Sequence, residues 1–331
     1  MSIRNLTQLK KLADRAIREI ESPSGPKGLY EPVKYALDGS GKRLRPLLLF
    51  ALAESFGVNP ENYLSQGAAI EMFHNFTLLH DDIMDNASMR HGLPTVHCKW
   101  NIPTAILSGD AMMTFSDILM MRNLPENITH KVMMIFSDTA MKIYDGQQMD
   151  MDFENEKRVS IDDYIEMIML KTGALFGCAA GIGLLLAHRE PSSKTNVLFK
   201  NIVKLGYLIG VVFQLQDDFL DTYGDSKTFG KMIGGDILND KKTWLMITAL
   251  NSELKDEVKA LSSNKNISGA DKIREMKAIF NRLSLSEKIN TEIDKNVKLA
   301  YETLDVVGAD MVQGGKELIK DYIKLIIGRD K

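Results

Sequence analysis

Two similar groups of aspartates are the side chains in this sequence best suited to chemistry. The first group is Asp81, Asp82 and Asp85 in the run LLHDDIMD, and the second is Asp217, Asp218 and Asp221 in the run LQDDFLD. Residues four apart lie on one face of an α-helix, so each motif can present two carboxylates together. Magnesium is typically held by one or two carboxylates, several waters and the phosphate oxygens of a substrate. The two motifs therefore predict magnesium sites that act on a diphosphate.

Basic and glycine-containing segments accompany both motifs. These segments are Gly41-Lys42-Arg43-Leu44-Arg45-Pro46, Arg90-His91-Gly92-Leu93-Pro94-Thr95, Lys171-Thr172-Gly173, and Lys231 with Gly234, Gly235, Asp236 and Lys241. Each one alone is weak evidence, because charges in loops are usually solvated. Together, near two metal motifs, they supply the cations that two diphosphates need.

Helical periodicity predicts the elements that carry these residues. Apolar residues recur at spacings of three and four through 43–57, 62–85, 103–122, 128–152, 161–187, 195–222 and 240–260, and again over 270–327. Proline or small polar residues interrupt the pattern at 22–26, 59–60, 124–125, 190–193 and 262–264. Strictly alternating runs rich in β-branched residues are missing. We predict an all-α bundle forming a single domain over residues 1–331, with the two motif helices facing each other.

Composition and charge narrow the class of protein. The chain of 331 residues has 44% hydrophobic and 26% charged residues, which is ordinary for a soluble protein, and a net charge of −3, which argues against nucleic-acid binding. Its two cysteines, Cys98 and Cys178, are too few for a disulfide framework. The first twenty residues suit an amphipathic helix rather than a signal peptide, and the uncharged run from Thr172 to Ala187 is too short to span a bilayer. We expect a cytoplasmic protein without stable membrane insertion.

Several of these segments, taken in order, resemble one enzyme family. The segments are GKRLRP, the ExxH of Glu71 and His74, LLHDDIMD, RHGLPT, GQQMD, KTG, FQLQDDFLD and GK…GGDI…DKKTW. This order is similar to that of the trans-polyprenyl diphosphate synthases, which include the farnesyl and geranylgeranyl diphosphate synthases. The resemblance implies a homodimeric isoprenoid-synthase bundle around a central cavity. It also implies magnesium, three ions with substrate bound, and condensation of isopentenyl diphosphate with dimethylallyl, geranyl or farnesyl diphosphate to C15–C20 products.

The resemblance also implies roles for individual residues. Lys42, Arg45 and His74 match binders of isopentenyl diphosphate, and Asp81, Asp85 and Asp217 match magnesium ligands. Asp82, Asp218 and Asp221 match supporting members of the motifs. The residues expected to hold the allylic diphosphate, or the cation left when it ionises, are Arg90, Lys171, Thr172, Gln214, Lys231 and Lys241. Gln147 and Asp150 belong to a family segment near the site.

Two positions bear on specificity. Where the family commonly has two arginines before the glycine, this chain has Arg90 and then His91, whose unperturbed pKa lies near 6.5. We expect binding of isopentenyl diphosphate to weaken as His91 loses its proton. Phe76 and Phe73 precede Asp81 by about 7.5 and 12 Å of helix rise, so their rings could close a product tunnel. The family resemblance gives the fifth residue before the motif, Phe76, this role. With Thr77 beside it and no insertion inside DDIMD, the resemblance implies a C20 product slightly favoured over C15.

Three other interpretations compete with this one. A class I terpene cyclase shares the first motif, but its second metal motif normally mixes Asn, Ser or Thr with acidic residues. A non-catalytic regulatory subunit would keep the fold, and His91 makes it conceivable, but both aspartate motifs are intact. A di-iron bundle needs two Glu-x-x-His segments, and the sequence has only the one at Glu71 and His74.

Overall fold

The computed structural model describes residues 3–21, 25–39, 41–156, 158–187, 193–224 and 233–328. The first ten α-helices are α1 Leu6–Arg18, α2 Lys27–Leu37, α3 Leu44–Ser55, α4 Leu64–Met84, α5 Val96–Lys99, α6 Ile102–Met121, α7 Glu126–Asn155, α8 Ile161–Ile168, α9 Ala174–Ala187 and α10 Ser193–Tyr223. Helices also span Gly235–Leu238, Trp244–Leu250, Lys255–Ser263, Gly269–Arg282, Leu285–Val307 and Gly315–Ile327. Short 3-10 helices at Pro60–Tyr63 and Gly308–Asp310 and a π-helical turn at Met169–Gly173 join them. The predicted all-α fold is confirmed.

The described helices belong to two compact units. The first unit comprises Met1–Asp138, Cys178–Val203 and Leu304–Tyr322, and the second comprises Thr139–Gly177, Lys204–Thr303 and Ile323–Lys331. Each aspartate motif lies in its own unit, the first in unit one and the second in unit two. The expected single domain, and the expectation that the motifs face each other, stay predictions.

The first unit is built around α4, whose apolar sequence buries most of its length. Helix α6 packs along α4, and the two backbones approach closely where Gly109 meets the ring of His80. A Cβ atom at Gly109 would lie 2.2 Å from Nε2 of His80. Nε2 of His80 also donates to the backbone oxygen of Ile106 at 3.1 Å. This contact fixes the last turn of α4, which carries the first motif.

The second unit depends on glycines for the approach of two helices. A Cβ atom at Gly210 would lie 2.5 Å from Cα of Gly173, and one at Gly206 would lie 2.6 Å from Cα of Gly177. The glycine-rich sequence after Lys171 therefore lets the backbone of α10 lie directly against the turn that precedes α9. This brings the second motif, on α10, into the same packed layer as Lys171 and Thr172.

The predicted helix breaks agree with the structure where it describes them. Pro60, Pro125 and Asn264 lie at or next to element ends, while the breaks at 22–24 and 190–192 lie outside the described residues. The periodic segment 240–260 is divided between Trp244–Leu250 and Lys255–Ser263, and 270–327 is divided among three helices. A two-stranded hairpin that the periodicity did not predict pairs Met89–Arg90 with Leu93–Pro94.

Two stretches are long and apolar enough to cross a membrane, Ile161–Ala187 and Thr195–Tyr223. In the first, 83% of the most apolar window is buried within the protein, as in the core helix of a soluble protein. The second carries the three aspartates of the second motif on its last two turns. Length and hydropathy alone are weak evidence, and these stretches do not indicate a membrane protein.

Candidate active site

The first aspartate motif occupies the C-terminal turn of α4. Asp82 is buried, while the side chain of Asp81 is 17% exposed and Asp85, the helix C-cap, is exposed. The inner carboxylate, Asp82, accepts a hydrogen bond from Nε of Arg90 at 2.7 Å. Nη2 of Arg90 forms ion pairs with Oδ1 of Asp82 at 2.6 Å and with Oδ2 of Asp81 at 3.7 Å. Burial raises the pKa of Asp82, although the hydrogen bond from Arg90 opposes the rise. The motif thus has one buried member bound to the protein and two outer members.

A tight hairpin presents Arg90 to this motif. His91 and Gly92 form its two-residue turn, and both have positive φ, +51° and +77°, as the central residues of a type I′ turn do. Histidine is one of the residues that tolerate the left-handed region. The Thr95 hydroxyl donates to the backbone oxygen of Ala87 at 2.7 Å and the Tyr35 hydroxyl donates to that of Pro94 at 2.8 Å, so both ends of the hairpin are anchored.

His74 lies two helical turns before Asp81 and forms part of a cationic cluster. Its Nε2 accepts a hydrogen bond from Nη1 of Arg45 at 3.0 Å, because a guanidinium can only donate. Burial lowers the pKa of His74 well below its usual value, and the nearby charges of Arg45 and Arg90 lower it further. A neutral His74 therefore lies among arginines in the first unit, an arrangement suited to an anion.

Arg43, between the predicted binders Lys42 and Arg45, turns inward. Its Nη1 pairs with Oε1 of buried Glu71 at 2.7 Å, and its Nη2 donates to the backbone oxygens of Leu37 and Gly39 at 2.7 and 2.9 Å. Arg43 also has a left-handed backbone, with φ of +53°, at the N-cap of α3. The ExxH glutamate thus holds the loop before α3, and these contacts bind Arg43 to the protein itself.

The second motif lies on α10 and again has a buried inner carboxylate. Asp218 accepts three hydrogen bonds, from the Tyr164 hydroxyl at 2.5 Å, the Trp244 backbone N–H at 3.0 Å and Nε2 of Gln214 at 3.1 Å. Burial, followed by the charge of Asp236, raises the pKa of Asp218 to about 7 against the effect of these donors. Burial likewise raises the pKa of Tyr164 well above its usual value, so its hydroxyl remains a donor.

Asp221 anchors the segment that follows the second motif. Its Oδ2 accepts from the backbone N–H of Asp236 at 3.0 Å, and its backbone oxygen accepts from Gly234 at 2.6 Å. Gly234 has a φ of +83°, and a side chain there would also collide with Ile273. The glycine pair therefore lets the backbone at Gly234 and Gly235 pack closely against α10, while Asp217 is half-buried next to Asp218.

Lys171 and Thr172 lie in the π-helical turn between α8 and α9, a feature often found at functional sites. Nζ of Lys171 bonds to Oδ2 of Asp150 at 2.6 Å, and Nζ of Lys241 lies 3.9 Å from the same oxygen. The hydroxyl of Thr172 donates to Oε1 of Gln214 at 3.0 Å. The structure thus brings Lys171, Thr172, Gln214 and Lys241 together around Asp150 and Asp218, whereas Lys231 lies outside the described residues.

The residues expected to set product length pack inside the first unit. Phe76 and Phe73 are 5% and 2% exposed, and their ring centroids lie 5.3 Å apart. Phe76 also meets the ring of His80 edge-on at 4.9 Å. The hydroxyl of Thr77 donates to the backbone oxygen of His74. A tunnel above these rings stays a prediction.

The donor set in both motifs suits magnesium. All its candidate ligands are carboxylate oxygens, the type that Mg²⁺ prefers. Among the residues that the structure describes, no group of three His, Cys, Asp or Glu side chains is arranged to hold a metal ion alone. Because Asp82, Asp218 and Asp221 are buried and accept hydrogen bonds from protein donors, Asp81, Asp85 and Asp217 are the members better suited to share an ion with a diphosphate.

Comparison with known proteins decides the family. The polyprenyl synthetase family model matches residues 26–283. The chain belongs to this family. It is 34% identical to a geranylgeranyl pyrophosphate synthase of Geoglobus acetivorans over 95% of both chains, and 38% identical to a geranylgeranyl diphosphate synthase of Methanosarcina mazei over 74% of both. A crystal structure of a geranylgeranyl pyrophosphate synthase superposes with a TM-score of 0.91 at 34% identity, covering 99% of this chain and 100% of the other.

Sequence reasoning missed several residues that hold the site together. Arg43 and Tyr164 were not assigned roles, and Glu71 was weighed only as a metal ligand. The polar partners Arg43 and Glu71 are 28 positions apart, so only the ExxH pattern signalled that Glu71 mattered. Tyr164 lies at a buried helical position. The apolar periodicity accounts for its ring but gives no sign of the hydrogen bond from its hydroxyl to Asp218.

Proposed function

We propose that this protein elongates allylic diphosphates with isopentenyl diphosphate and that geranylgeranyl diphosphate, C20, is its main product. One observation carries the proposal. Both aspartate motifs have a buried second aspartate that accepts hydrogen bonds from protein donors, Asp82 from Arg90 and Asp218 from Tyr164, directly after a less buried aspartate, Asp81 or Asp217. This arrangement occurs in a chain that matches geranylgeranyl diphosphate synthases over most of its length.

The cationic cluster of the first unit suits isopentenyl diphosphate. Arg45 supplies a fixed charge, and its hydrogen bond to neutral His74 fixes the direction of the guanidinium. Since Nε2 of His74 accepts this bond, its proton is on Nδ1, which can donate to a phosphate oxygen. We assign Lys42 to the same diphosphate from the family resemblance, together with His91, whose charge acts on His74. These residues bind and orient the nucleophile without transferring its proton.

The cationic group of the second unit suits the allylic diphosphate. Lys171 and Lys241 share Asp150, which holds both ammonium groups ready for phosphate oxygens. Lys231 and Arg90 complete the set that the family resemblance assigns. Asp81, Asp85 and Asp217 would hold Mg²⁺, three ions with substrate bound. When bound, the ions stabilise the negative charge that develops on the departing pyrophosphate.

Chain extension then follows from ionisation. The allylic carbon–oxygen bond breaks and its electron pair leaves with pyrophosphate. The terminal alkene carbon of isopentenyl diphosphate attacks the allylic carbon, and a proton is lost to form the new double bond. We assign the proton to the released pyrophosphate, because no general base is evident among the described residues of the two clusters. The side-chain oxygen atoms of Thr172 and Gln214 can stabilise the allylic carbocation.

Product length follows from Phe76 and Phe73, the buried rings upstream of Asp81. Phe76 is the nearer of the two, and its contacts with Phe73 and His80 keep it from swinging aside. A growing chain that reaches these rings stops at C20 or below.

A homodimer accounts for an apolar surface of the first unit. On α6 and the part of α7 that belongs to the first unit, the exposed large apolar residues are Ile102, Ile106, Leu107, Ile118, Met121 and Met134. We propose that a second copy of the chain covers these apolar side chains, which lie on two successive helices. We also propose a cytoplasmic location, where isopentenyl diphosphate and a reduced pair of cysteines are expected.

Labelled isopentenyl diphosphate tests the function. The purified chain with Mg²⁺ should incorporate the label into C20 product from dimethylallyl, geranyl or farnesyl diphosphate, and chelation by EDTA should stop it. Asp81→Asn should abolish incorporation, whereas Asp294→Asn, a control on an exposed helix face, should not. Cyclic hydrocarbon without incorporation would identify a terpene cyclase. Activity only after adding a second protein would identify a regulatory subunit.

A further inference from the structure

We propose that Tyr164 is a positioning residue for prenyl transfer, acting through Asp218 and Gln214 to set the direction of the Thr172 hydroxyl. The proposal rests on the proposed function. The roles that the sequence implies leave the Tyr164 hydroxyl, buried beside the second aspartate motif, without a function. Tyr164 is 2% exposed and lies on α8, the helix that directly precedes the π-helical turn with Thr172.

The first step concerns Asp218. Tyr164 and the backbone N–H of Trp244 both donate to Oδ2, at 2.5 and 3.0 Å, so this oxygen is held from two sides. The other oxygen, Oδ1, is thereby directed along α10 to Gln214, one turn earlier. Hydrogen bonds to a carboxylate are stronger than those between neutral groups, so they fix the rotation of the carboxylate firmly.

The second step concerns Gln214. A glutamine amide can be turned by half a rotation, which exchanges its oxygen and nitrogen. The hydrogen bonds from Tyr164 and the Trp244 N–H favour the ionised form of Asp218 against its burial. In this form Oδ1 of Asp218 accepts from Nε2 of Gln214 at 3.1 Å and would repel the amide oxygen. The carboxylate therefore selects the orientation in which Oε1 of Gln214 points toward the π-helical turn.

The third step concerns Thr172. Its hydroxyl donates to Oε1 of Gln214 at 3.0 Å. A threonine hydroxyl has one hydrogen, which this bond uses, and two lone pairs. On the side away from Gln214, Thr172 consequently presents electron density rather than a hydrogen. Such an oxygen stabilises a developing positive charge, whereas a hydroxyl turned the other way would oppose it.

Tyr164 is thus the outer end of a four-residue relay that defines the polarity at Thr172. Tyr164 touches Asp218 and not the reacting atoms. Removing its hydroxyl should leave substrate affinity intact and slow the chemical step, because only the orientation of Thr172 becomes less certain. A tyrosine that served packing alone would instead change stability without this selectivity.

Tyr164→Phe keeps the ring and removes the hydroxyl, so it is the variant of choice. We expect kcat to fall about tenfold, the equivalent of about 1.4 kcal/mol, with the KM of both substrates unchanged. Tyr322→Phe is the matched control, because Tyr322 is also fully buried and donates its hydroxyl, to the backbone oxygen of Leu44. This control should lower the melting temperature to a similar extent and leave kcat unchanged.

A double-mutant cycle separates the relay from packing. Thr172→Val should reduce kcat at least as much as Tyr164→Phe, and the double variant should be no slower than Thr172→Val alone. Thr172→Ser, which keeps the donor, should retain most of the activity and tests the relay even where Tyr164→Phe folds poorly. The proposal is overturned where kcat of Tyr164→Phe lies within twofold of the parent, or where the two losses multiply. Failure of the proposed function would appear separately, as no elongation by the unaltered chain.

Discussion

The buried pair of Arg43 and Glu71 offers a sharp test of how the loop before α3 is held. We consider Glu71→Gln, which keeps the shape of the side chain and removes its charge. Arg43 is 9% exposed and Glu71 is 3% exposed, so the guanidinium would keep its charge in a poorly hydrated place. Oε2 of Glu71 is buried with no hydrogen-bond partner among the described residues, so the interaction with Arg43 is made through Oε1.

The magnitude follows from burial. Breaking a buried ion pair costs about 3–5 kcal/mol, and the two backbone oxygens that still accept from Arg43 place this case at about 3 kcal/mol. With about 2.1 cal/mol/K of unfolding entropy per residue, a chain of 331 residues loses about 4 °C of melting temperature for that change. The matched control is Glu61→Gln, which breaks an ion pair with Arg4 at a site where Glu61 is 44% exposed. An exposed pair contributes about 0–1 kcal/mol, so this control should move the melting temperature by about 1 °C or less.

The assay combines thermal unfolding followed by circular dichroism with steady-state kinetics. Because Arg43 lies between Lys42 and Arg45, Glu71→Gln should also raise the KM for isopentenyl diphosphate and leave the KM for the allylic substrate unchanged. Equal melting temperatures for Glu71→Gln and Glu61→Gln would refute the reasoning. An equal rise in both KM values would show instead that the damage spreads beyond the loop.

Three further predictions address charge, shape and loop position. The KM for isopentenyl diphosphate should rise between about pH 6 and pH 8 as His91 loses its proton, and His91→Arg should flatten this trend. Buried His74, whose pKa is lowered, stays neutral over this range. A KM that does not change with pH in the parent protein would count against the role of His91. Phe76→Ala should lengthen the product measured by chromatography, at a stability cost of about 3–5 kcal/mol, and unchanged products would dispose of the proposed tunnel floor. Lys272→Met should raise the KM for the allylic diphosphate, since Nζ of buried Lys272 holds the loop before Lys241 through Oδ2 of Asp240 at 2.7 Å; the exposed control Lys295→Met should not, and equal KM values for both variants would contradict this role.

The fold followed from the sequence because its signals are local. The spacing of apolar residues predicted α4, α6, α7 and α10 to within a few residues, since each helix buries a face whose period is visible in the chain. The hairpin around His91 escaped this reasoning. Its four paired residues are too few for an alternating pattern, and its turn depends on backbone angles that histidine adopts less often than glycine or asparagine.

The site followed from the sequence only in part, for a related reason. The aspartates, Lys171 and Lys241 were identified because charged residues at fixed spacings imply ligands. Their partners were harder to identify. Asp150 was left with an uncertain role, although its carboxylate joins the two lysines from positions 21 and 91 residues away. Such pairings depend on tertiary packing, which no window of sequence contains.

The π-helical turn at Met169–Gly173 has a consequence for how this chain can change during evolution. An extra residue in one helical turn rotates everything after it by about 100° relative to what precedes it. Deleting a single residue there would restore a regular α-helix. The glycines at 173 and 177 would then rotate away from Gly206 and Gly210. Substitutions in this stretch are therefore far easier to accommodate than the deletion of one residue. Related sequences should keep the number of residues here constant even where the residue types differ.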